Sequence, residues 1–115
     1  MRSKTFIVKG EESLNWVTDF TRQYNQKAHE STFDGGFLRV YEDYSFLVGN
    51  DLVVCIRVDS SLSDQGIILI EFIVGGGGTS AFGFNLFARN NSRINHFRDR
   101  LSEFCRAEGF SLEER

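Results

Sequence analysis

Apolar residues in the middle of the chain recur at every second position, which is the spacing of a half-buried β-strand. Four segments follow this pattern: residues 37–48, 52–59, 66–74 and 81–88. The segments between them are short enough for hairpin connections, so we predict an up-and-down antiparallel sheet. A fifth strand is predicted over residues 4–9, where Phe6 and Val8 share one face, and we expect it at an edge of the sheet.

Two further segments have the three-and-four spacing of an amphipathic helix. The first covers residues 11–29, with acidic residues in its first turn and Lys27 in its last, which suits the helix dipole. Its apolar face comprises Leu14, Val17, Phe20, Tyr24 and Ala28. The second begins at Asn91 or Ser92, and Gly109 suits its C-terminal end. Its apolar face comprises Ile94, Phe97, Leu101 and Phe104.

These elements predict an α+β fold, a two-layer sandwich in which an antiparallel meander sheet carries both helices on one face. The predicted order of elements is β-α-β-β-β-β-α. Residues 30–36 are expected to form a loop and residues 110–115 a frayed tail. We predict a single domain over residues 1–115, because a chain of 115 residues can bury one core without metal or disulfide crosslinks.

The hairpin between the second and third strands determines which side chains face the core. A three-residue loop at residues 49–51 pairs Phe46 with Val54, and the even-numbered apolar residues of both strands then share one face. The corresponding register in the next two hairpins places apolar residues of all four meander strands beneath the helices, among them Ile56 and Ile70. The agreement of three hairpins supports this arrangement.

The opposite face of the sheet is predicted to be only partly polar. On this register Asp43 lies opposite Arg57 at its polar side. The apolar part requires a cover, because both helices lie on the other face. A second copy of the chain is the simplest cover, so we predict a homodimer. The candidate interface residues are Ile67, Leu69, Ile73, Phe87 and Arg57.

The glycine-rich run at residues 75–80 is the motif closest to a binding loop. A P-loop requires a lysine and a following helix, and here a strand is expected to follow, so a hairpin tip is the simpler interpretation. The alternative is a small-molecule-binding or catalytic pocket between sheet and helices. Its candidate residues are Gly76, Gly77, Gly78, Thr79, Ser80, Tyr44 and Glu42. Glu42 would point toward the core in this register, unless a bulge turns it out.

Composition and charge narrow the function classes. The net charge of −3 at pH 7 argues against nucleic acid or an anionic membrane as the main partner. No apolar run approaches the ~20 residues of a membrane span. The two cysteines form no CxxC pair, which favours buried, reduced thiols and a cytoplasmic setting. His29 and His96 lack the further ligands of a metal site, so we predict no metal, cofactor or catalytic residue.

Two segments resemble a family of small uncharacterised bacterial single-domain proteins. The first is the Val-Tyr-Glu-x-Tyr strand within residues 37–45, and the second is the Gly-Gly-Thr-Ser segment within residues 76–82. The similarity covers residues 37–105. The resemblance implies a fold and a cytoplasmic setting but no site, because the family has no assigned activity. We therefore predict a cytoplasmic homodimeric interaction or ligand-binding domain, and the sequence leans against an enzyme.

Overall fold

The computed structural model describes residues 2–45, 50–76 and 83–115, and side chains within 2–43, 52–75 and 91–115, and this part of the chain contains six strands and two α-helices. The strands are β1 (Arg2–Lys9), β2 (His29–Phe33), β3 (Gly36–Ser45), β4 (Asn50–Asp59), β5 (Ile67–Gly76) and β6 (Ser111–Glu114). The helices are α1 (Ser13–Tyr24) and α2 (Gly83–Glu108), and a short 3₁₀ turn covers Ser63–Gln65. The predicted α+β fold and the order β-α-β-β-β-β-α are confirmed, with β6 as an additional strand.

The six strands form one antiparallel sheet in the order β2-β3-β4-β5-β1-β6. The predicted edge position of the first strand is wrong, because β1 lies between β5 and β6. Residues 110–115 are not a frayed tail either. The strand β6 pairs with residues 6–9 of β1, and the ion pair between Lys9 and Glu113, 3.0 Å apart, joins the two strands.

The strand β2 occupies most of the segment that was predicted to be a loop. It pairs with β3 across a two-residue turn, Asp34-Gly35, in which Gly35 has a φ of 96°. The helix α1 correspondingly ends at Tyr24 and not at His29, because the chain turns at residues 25–28 to enter β2. An Asp-Gly pair between alternating segments is a strong hairpin signal that the sequence prediction did not use.

The helix α2 begins at Gly83, so the predicted strand over residues 81–88 is wrong where the chain is described. Phe84 and Leu86 have the two-residue spacing of a strand, whereas Phe84 and Phe87 have the three-residue spacing of a helix, which continues from Phe87 to Ile94 at the spacing of two helical turns. The predicted end of the helix is confirmed. Gly109 adopts a φ of 77°, and the Phe110 amide donates a 2.9 Å hydrogen bond to the Cys105 carbonyl, as in a Schellman motif.

The register of β3 against β4 differs from the predicted one by an odd number of residues. Val40 lies opposite Cys55 and Asn50 is already part of β4, so the predicted loop at residues 49–51 is wrong. Because side chains alternate between faces, this shift exchanges the two faces of β3. Arg39 points toward the helices and is buried, whereas Leu38 lies on the other side of the sheet.

The register of β4 against β5 is shifted by two residues from the predicted pairing, which leaves the faces unchanged. Ile56 lies opposite Phe72 and not opposite Ile70, but all three side chains are fully buried on the helix side. The prediction that Ile56 and Ile70 face the helices is confirmed, since they share one core with Phe97 and Phe20 packs against it.

Aromatic rings fill the centre of the interface between sheet and helices. Phe72 of β5 stacks on Phe97 of α2 with ring centroids 4.4 Å apart, and Phe6 of β1 lies 5.7 Å from the same ring. Phe20 of α1 contacts Phe97 at 5.8 Å and stacks on Phe104 at 4.9 Å. Burial of each such side chain contributes roughly 1.5–3 kcal/mol to folding, so this cluster holds both helices on one face.

Candidate interaction surface

We call the side of the sheet opposite the helices the outer face. It presents a continuous set of side chains from β3, β4, β5 and β1. Strand alternation and the pairing register place odd-numbered residues of β1, β4 and β5 beside even-numbered residues of β3. Among the described residues neither helix packs on it, because the buried apolar residues of α1 and α2 belong to the core on the other side. Its apolar residues are Ile7, Leu38, Val40, Val53, Cys55, Ile67, Leu69 and Ile73.

In the part of the chain that the structure describes, neither helix covers the apolar side chains of the outer face. Val53 is 42% exposed, whereas Leu69 and Ile73 are half-buried. Their counterparts on the helix side, such as Ile70 and Phe72, are fully buried. A sheet face exposed to water normally alternates to polar residues, so this apolar area indicates a binding surface.

One pair of opposite charges lies at the centre of the outer face. Arg57 of β4 is directly opposite Glu71 of β5 in the sheet. The Arg57 guanidinium carbon lies 5.2 Å from the centre of the Phe33 ring, a cation–π contact that directs it toward β2. Four of the predicted interface residues therefore share the outer face, and Arg57 is exposed among them.

Two predicted members of this surface lie elsewhere. Phe87 is part of α2, because the strand predicted to carry it is helical. Asp43 is not opposite Arg57 but faces the helices, where its Oδ2 lies 2.7 Å from Nε of Arg93. The two differences have separate causes, since Phe87 was placed on a strand that is helical, whereas Asp43 was placed from a register that only the assembled sheet determines.

The predicted ligand-binding residues are only partly described. Gly76 ends β5 opposite Leu52, whereas residues 77–80 and the Tyr44 side chain lie outside the described residues. Glu42 is exposed on the outer face beside Val53, because the β3 register turns it away from the helices. The predicted register pointed Glu42 toward the core unless a bulge turned it out, and the observed register leaves its carboxylate exposed without a bulge.

Neither cysteine is activated as a nucleophile. Burial, with a contribution from Glu71, raises the pKa of the Cys55 thiol on the outer face, and burial raises the pKa of Cys105 to about 11. A nucleophilic thiolate requires the opposite shift. Both cysteines are free, and they lie on opposite sides of the sheet, which explains why they form no disulfide with each other.

A polar cluster joins α1, α2 and β3 on the helix side. The Tyr24 hydroxyl lies 2.9 Å from Nδ1 of His96, and its ring packs edge-on against Phe97 at 5.0 Å. Burial raises the pKa of Tyr24 to about 12, so the phenol is neutral near pH 7. Burial also raises the pKa of Tyr41, which lies beside it. The two phenols can donate hydrogen bonds but do not supply a phenolate base at neutral pH.

A second buried cluster was not predicted, because Glu30 lay in the expected loop. The carboxylate of Glu30 lies 2.7 Å from Nη1 of Arg39 and 3.1 Å from Nη2 of Arg22. The hydrogen bond from Arg22, followed by that from Arg39, holds the pKa of Glu30 below its usual range. The Asp34-Gly35 turn is the sequence signal that would have placed Glu30 beside Arg39.

Two open clefts lie at the margins of the sheet. One, of about 900 Å³, is lined by residues 9–12 and 63–67 and contains three carboxylates, those of Glu11, Glu12 and Asp64. The other, of about 650 Å³, lies where β2 begins and includes the outer-face residues Leu38 and Val53.

Within residues 2–45, 50–76 and 83–115, no three or more His, Cys, Asp or Glu side chains are grouped so that they could hold a metal ion. Nor is any helix in those segments both long and apolar enough to span a bilayer.

No family model, curated protein or solved structure matches this chain. The resemblance to small bacterial single-domain proteins therefore stays a prediction. The outer face and its central charge pair are the features on which a functional conclusion can be based.

Proposed function

We propose that the protein is a non-enzymatic cytoplasmic interaction domain that forms a homodimer through the outer face of its sheet. The observation that carries this proposal is the outer face itself, where the described helices leave the apolar side chains of β3, β4 and β5 uncovered because both pack on the other side. A partner on this face would remove the apolar side chains of Val53, which is 42% exposed, and of the half-buried Leu69 from water.

The size of the outer face supports a stable contact. Six strands about 4.8 Å apart and up to ten residues long, at about 3.3 Å per residue, span roughly 25 × 30 Å. That footprint of about 700 Å² is close to the ~800 Å² that each partner contributes to a standard protein–protein interface. Two such sheets pack face to face about 10 Å apart, as in a β-sandwich.

The chemistry of the thiols supports the non-enzymatic and cytoplasmic parts of the proposal. Raised pKa values keep Cys55 and Cys105 protonated, and their separation across the sheet suits a reducing compartment where thiols persist.

Native mass spectrometry of freshly purified protein tests the dimer and the ligand-binding alternative in one measurement. We expect a dimer mass without a retained small molecule, and a stoichiometrically bound metabolite on a monomer contradicts the proposal.

Sedimentation velocity at micromolar concentration tests the dimer. We expect a species of about twice the 13.1 kDa mass of one chain. Leu69→Arg places a charge in the middle of the apolar area and is expected to give a monomer. Ala107→Arg adds the same charge at an exposed position near the end of α2 and is expected to remain dimeric. A monomeric wild type, or a Leu69→Arg variant that stays dimeric, contradicts the proposal.

A further inference from the structure

We infer that the two copies are related by a two-fold axis parallel to β4 and β5, so that Arg57 of one copy pairs with Glu71 of the partner subunit. This inference rests on the proposed function, and it adds the symmetry and the residues that determine partner choice. Arg57 and Glu71 project from the outer face at directly paired positions of β4 and β5. Within the described residues neither charge forms an ion pair, since Arg57 lies over the Phe33 ring instead.

Because these two charges lie near the middle of the outer face, any molecule that covers this face must pair with both of them. The strands β4 and β5 are the third and fourth of six, so Arg57 and Glu71 lie near the middle of the outer face. A partner that buries the apolar area must also remove both charges from water. An isolated buried charge costs several kcal/mol, whereas an oppositely charged group opposite each one offsets this cost. The cover must therefore present a negative group to Arg57 and a positive group to Glu71.

A second copy presents these groups in the required places. The two-fold axis of a face-to-face dimer lies in the plane between the sheets. If it runs parallel to the strands, midway between β4 and β5, each β4 lies over β5 of the partner subunit. Arg57 then lies opposite the partner's Glu71, and Cys55 lies opposite the partner's Ile73. The contact between Arg57 and Glu71 thus forms twice, once on either side of the axis, and the apolar residues meet one another.

Other in-plane axes leave the charges unmatched. An axis perpendicular to the strands that passes through the Arg57–Glu71 row places each charge opposite its own copy, which is repulsive. A perpendicular axis through the neighbouring row, which contains Cys55 and Ile73, places Arg57 opposite Val53 of the partner subunit. Valine provides no countercharge. Packed sheets are usually rotated by about 30° relative to each other, and this rotation displaces residues near the centre of the contact least. Arg57 and Glu71 lie near that centre.

Charge exchange tests the inference directly. Arg57→Glu alone makes the centre of the face wholly acidic, and Glu71→Arg alone makes it wholly basic. We expect each variant to raise the dimer dissociation constant by at least about 30-fold, because like charges then oppose each other across the axis. An equimolar mixture of the two variants is expected to form heterodimers with near wild-type affinity. The double variant R57E/E71R is expected to form a homodimer again. Circular dichroism verifies the fold of each variant.

The outcomes separate this inference from the proposed function. If Leu69→Arg is monomeric while both single charge variants dimerise like the wild type, the axis is wrong and the outer face remains the interface. Folded single variants that are monomeric but do not associate when mixed also overturn the axis. If a single variant does not fold, Arg57→Gln and Glu71→Gln replace the pair. Each is then expected to weaken the dimer, and an unchanged dissociation constant overturns the inference. A monomeric wild type overturns both proposals.

Discussion

Nη1 of Arg39 lies 2.7 Å from Oε1 of Glu30, beneath the helices and on the side of the sheet where β4 and β5 carry their buried apolar residues. Arg39 is only 5% exposed, and its Nη2 donates a 2.7 Å hydrogen bond to the Asn25 carbonyl. Arg22 of α1 donates to the same carboxylate from a more exposed position. The Glu30 carboxylate therefore joins α1, β2 and β3 at one end of the core.

Replacement of Arg39 by leucine is expected to lower the free energy of unfolding by about 2–4 kcal/mol. The substitution removes the donor to the Asn25 carbonyl and the closer of the two donors to Oε1 of Glu30, both supplied by a buried guanidinium. Arg22→Leu removes a more exposed donor to the same carboxylate and is expected to cost less than about 1 kcal/mol. Urea denaturation at pH 7 measures both values. Equal losses for the two variants would show that burial of Arg39 does not determine its contribution.

Stability is expected to fall as the pH rises above 10. Burial raises the pKa of Tyr24 to about 12, whereas a phenol in the unfolded chain ionises near 10. A raised pKa in the folded state stabilises the fold below the unfolded value, and this stabilisation is lost as the pH rises toward 12. Denaturation midpoints at pH 8, 10 and 11.5 should therefore decrease less in Tyr24→Phe than in the wild type. Parallel decreases in the two proteins would contradict the assignment to Tyr24.

Gly109→Ala is expected to destabilise the protein by about 1–2 kcal/mol through backbone strain alone. Gly109 has a φ of 77°, and a Cβ atom at this position would meet no atom within 4 Å. The cost therefore comes from placing a side chain in the left-handed region, not from a clash. Gly109→Asn is the matched control, because asparagine adopts this conformation more readily. Thermal denaturation compares the two, and an asparagine variant less stable than the alanine variant would contradict this explanation.

The helices show how much a periodic pattern predicts. The apolar spacing predicted the core-facing residues Val17, Phe97 and Leu101 correctly, and Gly109 correctly predicted where α2 ends. The beginning of α2 was missed because Phe84 and Leu86 have strand spacing while Phe84 and Phe87 have helical spacing. Local sequence cannot choose between two periods that each fit part of so short a segment.

The edge strands were missed for a different reason. Residues 29–33 and 111–114 are short and mostly polar, so they carry little of the apolar alternation that predicts a strand. Their backbone groups are paired because β3 and β1 offer free edges beside them. Only Leu112 of β6, which packs against the core, marks that segment as part of the fold.

The position of the candidate surface follows from the apolar alternation within each strand and from the pairing register between strands. The alternation along β4 and β5 by itself placed Ile67, Leu69, Ile73 and Arg57 on the face away from the helices, and the structure agrees. The second member of the charge pair became apparent only from the observed register, which brings Glu71 directly opposite Arg57. A shift of two residues preserves the face of a side chain but changes its neighbour.

The sequence by itself determined the α+β class, the number of helices, the side of β4 and β5 that forms the core, and the uncovered apolar face behind it. These properties follow from hydrophobic periodicity, which acts within one element and is recorded in consecutive residues. Tertiary structure alone decided that Arg39 is buried and Leu38 is not, that β1 lies inside the sheet, and that Arg57 and Glu71 are neighbours. Those properties depend on hydrogen-bond register and on pairing between segments far apart in the chain, where a displacement of one residue exchanges the two faces of a strand.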